Sequence, residues 1–169
     1  MEIRYKMISP DARCPYRATS GSAGWDLYAV GEPQCWYDKL GFAHIRYFTG
    51  LAVEIPAGYF GMFACRSSVS RMDLHLCYGQ GIIDSDYRGE LSLEFLCRKQ
   101  FDAEAFTNNP NYAAPASFDY IRRHATIYNV GDRIGQLLIV PYMVDVQFVK
   151  SNELSDTDRG SGGYGSTGV

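Results

Sequence analysis

The sequence predicts an all-β domain of the sandwich, jelly-roll or barrel class, on three observations. Apolar and polar residues alternate with a period of two in several short runs. Turn-forming groups such as Pro56-Ala57-Gly58, Arg88-Gly89 and Val130-Gly131-Asp132 separate those runs at close intervals. No long stretch carries the 3.6-residue apolar repeat of an amphipathic helix. Many short strands with regular turns bury their apolar faces by closing into layered sheets.

Taken in order, the clearest early strand covers 51–55, where Leu51, Val53 and Ile55 share a face. Residues 68–74 suit a short helix with serines in the N-cap position. Residues 81–90 fit a β-hairpin whose tip holds Asp84, Asp86 and Tyr87. Leu91, Leu93, Phe95 and Cys97 define the core face of the next strand. The near-continuous apolar run 134–140 suits a strand buried on both sides, interrupted by one polar residue, Gln136. Two stretches fit this framework badly and read as insertions. Residues 31–47 are aromatic and irregular. Residues 98–128 exceed the ~12–15 residues beyond which structureless loops become uncommon. Within the second, 108–112 reads as a loop and 118–124 as a helical turn. The whole divides into one domain, 1–158, and a glycine-rich C-terminal arm, 159–169.

A chain of 169 residues can bury one real core and is too short for two ordinary domains. A net charge of −3 argues against nonspecific nucleic-acid binding, which needs a basic surface. No apolar run approaches the ~20 residues that span a bilayer, and the N-terminus lacks a signal-peptide core. The expectation is a soluble protein in the cytoplasm or another intracellular compartment. Cys14, Cys35, Cys65, Cys77 and Cys97 are odd in number and form no C-x-x-C pair, which favours free buried thiols over disulfides or zinc. His44, His75 and His124 are scattered and suggest no metal cluster.

Five segments concentrate groups with a chemical use. Asp26, in Ala23-Gly24-Trp25-Asp26-Leu27-Tyr28-Ala29, is either a local turn carboxylate or part of a site. Arg66-Ser67-Ser68 offers a guanidinium and hydroxyls for an anion, or else a plain helix cap. Asp84 follows two β-branched residues, where a strand ends, and can accept a proton from water or hold a sugar hydroxyl. Tyr87 beside it can pack on one sugar face. Gln136 places an amide in an apolar strand and must find partners there. The arm places Arg159 before a run of glycines that contains Tyr164, Ser166 and Thr167. It offers a charged fork, a stacking ring and backbone N–H groups to a nucleotide. Its G-x-G-x-x-G spelling at Gly160, Gly162 and Gly165 is no dinucleotide fingerprint, because no strand precedes it and no helix follows.

In this order the five segments resemble the five motifs of the trimeric dUTP pyrophosphatase (dUTPase) family. They spell A-G-x-D-L-x-A, R-S-S, G-I-I-D-x-D-Y-R-G, G-D-R-I-G-Q-L and R-G-x-G-G-Y-G-S-T-G. The resemblance implies a β jelly-roll homotrimer that hydrolyses dUTP to dUMP and pyrophosphate, with active sites shared between chains and no nucleic-acid or membrane partner. It implies that Asp84 activates the water that attacks the α-phosphorus. Tyr87 would pack under deoxyribose, and Gly81, Ile82 and Ile83 would read the uracil edge. Arg66, Ser67, Ser68 and Gln136 would hold phosphate oxygens, with Asp26 in support. Arg159 would reach the γ-phosphate, Tyr164 would cover the uracil, and Gly165, Ser166 and Thr167 would close over the phosphates. The implied cofactor is Mg2+, held by triphosphate and water rather than by side chains.

The chain departs from the pattern in three places. Tyr164 stands where phenylalanine is commoner, and the 98–128 stretch has no family counterpart. Tyr78 stands where many relatives carry an asparagine that binds uracil, and Gln80 is the nearest substitute amide. Two other readings stay open. The related dCTP deaminases, including bifunctional deaminase–diphosphatases, share the fold and use residues matched here by Ser67, Arg71 and Glu94. A non-catalytic nucleotide-binding regulatory module is the alternative of another class.

Overall fold

The computed structural model describes residues 1–101 and 114–163. Tyr164, Gly165, Ser166, Thr167 and the 108–112 loop therefore lie outside the described residues. Along the chain run β1 (Arg4–Met7), β2 (Trp25–Tyr28), β3 (Val30–Tyr37), β4 (Phe42–Phe48), β5 (Leu51–Glu54) and β6 (Tyr59–Ala64). After a 3-10 turn at Ser67–Arg71 come β7 (Leu74–Leu76), β8 (Gly81–Ile83), β9 (Ser92–Gln100), β10 (Ala114–Pro115), α1 (Phe118–His124) and β11 (Arg133–Pro141). The strands build a five-stranded sheet in the order β10-β3-β4-β9-β7 and a four-stranded sheet in the order β2-β11-β6-β8. A β1-β5 ribbon stands beside them. All the pairings are antiparallel. The layered all-β class read from the alternation is therefore the class observed, and the antiparallel sheets agree with the jelly-roll fold that the resemblance implies.

The core lies between the two sheets and uses the faces the sequence pattern marked. Leu51, Val53 and Ile55 are buried, as are Leu91, Leu93, Phe95 and Cys97. Each leucine or phenylalanine so buried contributes about 1.5–3 kcal/mol. The sheets approach closely where Leu93 of β9 meets Gly135 of β11. A Cβ at residue 135 would stand 2.4 Å from Leu93 Cδ2, so only glycine lets the layers close there. Below this contact, the Tyr47 hydroxyl donates to the carbonyl of Tyr128 at 2.8 Å. Burial pushes that phenol far above its usual range, so it remains a donor.

Several local expectations need correction. Residues 31–47 are not irregular: β3 and β4 pair from Val30↔Phe48 to Tyr37↔Ala43, at the heart of the larger sheet. Pro33 hid the strand because proline breaks a ladder, and it sits within the register shift between Val30 and Gln34 that absorbs it. Residues 81–90 are not a hairpin, because β8 pairs with β6 while β9 pairs with β4 and β7. The loop between them crosses from one sheet to the other. Residues 68–74 form the shorter 3-10 turn Ser67–Arg71, capped by Arg66 without a side-chain hydrogen bond. In 134–140, Ile134, Gly135 and Leu137 are buried while Gln136, Leu138, Ile139 and Val140 are only half-buried.

The helical turn at Phe118–His124 does form. Ser117 Oγ caps it by accepting from the Tyr120 N–H, Asp119 lies in its first turn, and Ile121 is buried in the core. Beyond β11 the chain leaves the sandwich. Met143, Val144, Phe148, Val149 and Leu154 are all exposed. Among the described residues no helix is long and apolar enough to cross a membrane.

Candidate active site

The sandwich places the motif residues in two groups, at different positions along β6. The first is built around Asp26. Asp26 on β2 stands opposite Gln136 on β11, and Gln136 stands opposite Ala64 at the end of β6, two residues before Arg66. This register turns three distant segments of the sequence into neighbours. Asp26 Oδ1 accepts from Arg66 Nε at 3.1 Å and from Gln136 Nε2 at 3.1 Å, while Oδ2 accepts from Arg133 Nη1 at 3.0 Å. Its side chain is 4% exposed, so the carboxylate tolerates burial only because these donors replace water.

Ser68 joins this group through Arg66 Nη1 at 3.5 Å and the Tyr128 hydroxyl at 3.1 Å. Burial raises the Tyr128 phenol against the lowering effect of its Ser68 bond. Two guanidiniums against one carboxylate leave the group with a net positive charge, suited to phosphate oxygens. Ser67 stands apart, exposed, with its carbonyl accepting from Ser70 Oγ at 2.8 Å.

The second group surrounds Asp84. Gly81, Ile82 and Ile83 lie on β8 opposite Phe63, Met62 and Gly61 of β6, and the chain then turns into the crossing loop. Ile82, Asp84, Ser85 and Asp86 line an open cleft of about 610 Å3 with Phe60 and Tyr142. Asp84 is exposed, and among the described residues no hydrogen bond or ion pair engages its carboxylate. The Tyr87 N–H closes the turn onto the Asp84 carbonyl at 3.1 Å, and the Tyr87 hydroxyl donates to the Glu90 carbonyl at 3.2 Å. The Tyr87 ring lies over Gly89, where a Cβ would come within 2.2 Å of the phenol oxygen. Glycine is required there for close approach, not for its dihedral freedom.

Within one chain these groups do not meet. Gln136 stands level with Ala64 and Ile83 with Gly61, which puts Asp84 about four residues further along β6, on its other side. Strand geometry makes that about 13 Å along the sheet and about 10 Å across it. Arg159 joins neither group; its Nε donates to the carbonyl of Gly162 at 3.0 Å within the exposed tail.

Tyr78, at the position in question for base recognition, rests its ring against Gly81, and its hydroxyl accepts from the Glu94 N–H at 3.2 Å. Burial raises this phenol. Gln80 is exposed. Glu94 is neither a solvated strand residue nor an available acid–base group. Arg46 Nη2 binds its Oε2 at 2.7 Å and His44 Nδ1 contacts its Oε1 at 3.2 Å. Burial works to raise the Glu94 pKa, but those two partners hold it below the usual carboxylate range.

Sequence reasoning missed Arg133 as a partner of Asp26, and missed Tyr128, Phe60 and Tyr142. Arg133 lay inside a motif already quoted and opposite Tyr28, beside Asp26, once β2 and β11 are paired. The others carry no signal without the fold.

A family model described as dUTPase matches residues 11–106 and 121–168. The chain is 32% identical to the deoxyuridine 5'-triphosphate nucleotidohydrolase of Hydrogenobaculum sp. (strain Y04AAS1), covering 100% of this chain and 99% of that protein. It is 31% identical to the enzyme of the same name from Escherichia phage T5, over 98% of each. Among solved structures, a variant of Staphylococcus bacteriophage 80alpha dUTPase with dUpNHpp superposes with a TM-score of 0.72 and 30% identity, covering 99% of both chains. A variant dUTPase from phage phi11 of S. aureus, reported with a structural Mg(II) ion, gives a TM-score of 0.64 at 25% identity, covering 92% of this chain and 100% of that one.

Proposed function

The chain belongs to the dUTPase family and hydrolyses dUTP to dUMP and pyrophosphate, and from that premise we propose that Asp84 aligns and activates the attacking water. The observation that carries this reading is the contrast between a saturated, cationic Asp26 group and an exposed Asp84 without protein partners. A carboxylate with open lone pairs at a solvent-filled cleft can take a proton from water as that water adds to the α-phosphorus. Pyrophosphate then leaves from the opposite side. Phosphoryl transfer depends mainly on positioning and charge neutralisation, which Arg66, Ser68 and Gln136 offer. Ser67, exposed at the start of the 3-10 turn that follows Arg66, offers a further hydroxyl to the phosphates. Tyr87 lies under the deoxyribose, and the β8 backbone at Gly81, Ile82 and Ile83 reads the uracil edge.

The separation of the two groups along β6 exceeds what one triphosphate bridges, so a complete site takes the Asp84 group from one chain and the Asp26 group from another. A closed homotrimer supplies three such junctions. The tail that leaves the sandwich after β11 then brings Arg159, Tyr164, Gly165, Ser166 and Thr167 to a neighbouring site, where they cover the nucleotide and exclude bulk water.

Mg2+ fits this chain as part of the substrate. The carboxylates of the cleft, Asp84 and Asp86, are exposed, and the one close donor group among the described residues contains a thiol and an imidazole rather than hard oxygens alone. Carried in with the triphosphate, Mg2+ would supply charge neutralisation beside Arg66, Ser68 and Gln136. Asp84→Asn tests the assignment: pyrophosphate release from dUTP should fall about 10²–10⁴-fold in kcat with KM nearly unchanged. A variant with near-full kcat removes Asp84 from the chemistry.

A further inference from the structure

The outer face of the larger sheet carries a third group of reactive side chains, which shares no residue with the two groups described above. His44 on β4, Glu94 on β9 and Cys77, just beyond β7, come from three adjacent strands. Arg46 stands opposite Glu94, and the Cys77 N–H donates to the Glu94 carbonyl at 3.0 Å, which fixes the register. Their donor atoms all lie within 4.8 Å of one another. His44 Nδ1 is 3.2 Å from Glu94 Oε1 and 3.7 Å from Cys77 Sγ. We propose that His44, Cys77 and Glu94 form a binding site for a zinc-type divalent transition metal.

The spacings support this. Zinc bond lengths of about 2.0–2.1 Å to nitrogen or oxygen and about 2.3 Å to sulfur, at tetrahedral angles, give edges of ~3.3 Å and ~3.5 Å. The observed separations match both edges to within a few tenths of an ångström.

The surroundings of His44 are those of a metal ligand. Its other nitrogen, Nε2, faces Asp38 Oδ2 at 3.6 Å, an ion-pair distance just beyond a hydrogen bond, on the side from which a carboxylate orients a metal-binding imidazole. Asp38 is itself fixed, because its Oδ1 accepts from the N–H groups of Leu40 and Phe42, each at 2.9 Å. Trp36 stacks on the imidazole at 5.2 Å and 16° and sets its plane. Charge also balances. Asp38, Glu94 and an ionised Cys77 oppose the positive charge of Arg46, leaving a deficit that a dication neutralises. Binding releases the thiol proton to solvent. Soft sulfur and imidazole select zinc or cobalt over Mg2+. A fourth position remains for water, since three side chains supply three donors.

The purified full-length protein can be titrated with Co2+, whose thiolate complex has a charge-transfer band in the near ultraviolet. The proposal expects one Co2+ per chain with that band, displaced by Zn2+ and unaffected by a large excess of Mg2+. Cys77→Ser abolishes the band, His44→Gln weakens binding at least 100-fold, and Asp38→Asn weakens it about 10–100-fold. Cys14→Ser, at an exposed cysteine, changes nothing. Circular dichroism confirms that each variant is folded; if Cys77→Ser is not, the His44→Gln and Asp38→Asn titrations decide. A folded wild-type protein without the band overturns the site. So does a band that survives Cys77→Ser, or affinity that is unchanged in both His44→Gln and Asp38→Asn.

Discussion

The Asp26 and Asp84 groups use the same functional group in opposite ways. Asp26 is buried and each of its oxygens accepts from side-chain donors, so it organises two arginines and an amide before any ligand arrives. Asp84 is exposed, and no described residue engages it. A carboxylate whose oxygens are already filled by donors has little lone-pair capacity left for water but is a good scaffold. One held open at a cleft is the reverse. On the proposed reading, the fold of a single chain builds the phosphate grip, whereas the reactive carboxylate awaits substrate and a second chain.

Breaking that contrast at its reactive end gives the largest expected effect. Asp84→Asn lowers kcat by about 10²–10⁴-fold yet leaves the melting temperature unchanged, checked by pyrophosphate release and thermal unfolding on the same preparation. Removing the arm after Asp158 comes next. It should cut kcat/KM on the order of 10²-fold, the loss expected when a positioning clamp is removed, while sizing chromatography finds the assembly intact.

At the scaffold end the pattern inverts. Asp26→Ala leaves the partly exposed Arg66 and Arg133 without their shared anion and costs about 1.5–3 kcal/mol of stability, read from denaturant unfolding, with KM rising more than kcat falls. Gly89→Ala should act least. It displaces the Tyr87 ring and lowers kcat/KM about tenfold, ~1.4 kcal/mol, and discrimination against UTP should weaken, because Tyr87 packed under the deoxyribose as proposed would exclude a 2′-hydroxyl.

Legibility followed the same divide. Leu51, Leu93 and Phe95 were readable as core because strand alternation is local and survives without tertiary knowledge. Asp26, Arg66 and Gln136 were readable because their motifs are contiguous spellings. Their convergence on one carboxylate was not, since it depends on the β2-β11-β6 register. Residues 31–47 misled because a dense set of aromatics masks the alternation that β4 obeys, and in β3 the register shift around Pro33 interrupts the alternation itself. The 81–90 stretch looked like a hairpin because sequence shows where a chain turns but not which sheet it turns into. The His44, Cys77 and Glu94 group was hidden for a related reason. Its members are scattered along the chain, and only pairing of β4, β9 and β7 unites them.

Complementation between two inactive chains tests most directly whether the site is completed across subunits. Asp84→Asn and Arg66→Gln chains, each nearly inactive alone, would be unfolded together in equal amounts and refolded. Random assembly into trimers leaves about a quarter of the junctions with an intact Asp84 facing an intact Arg66, and activity should return to about a quarter of the wild-type rate. A mixture that stays as inactive as its components would place both residues in the site of a single chain and contradict the account.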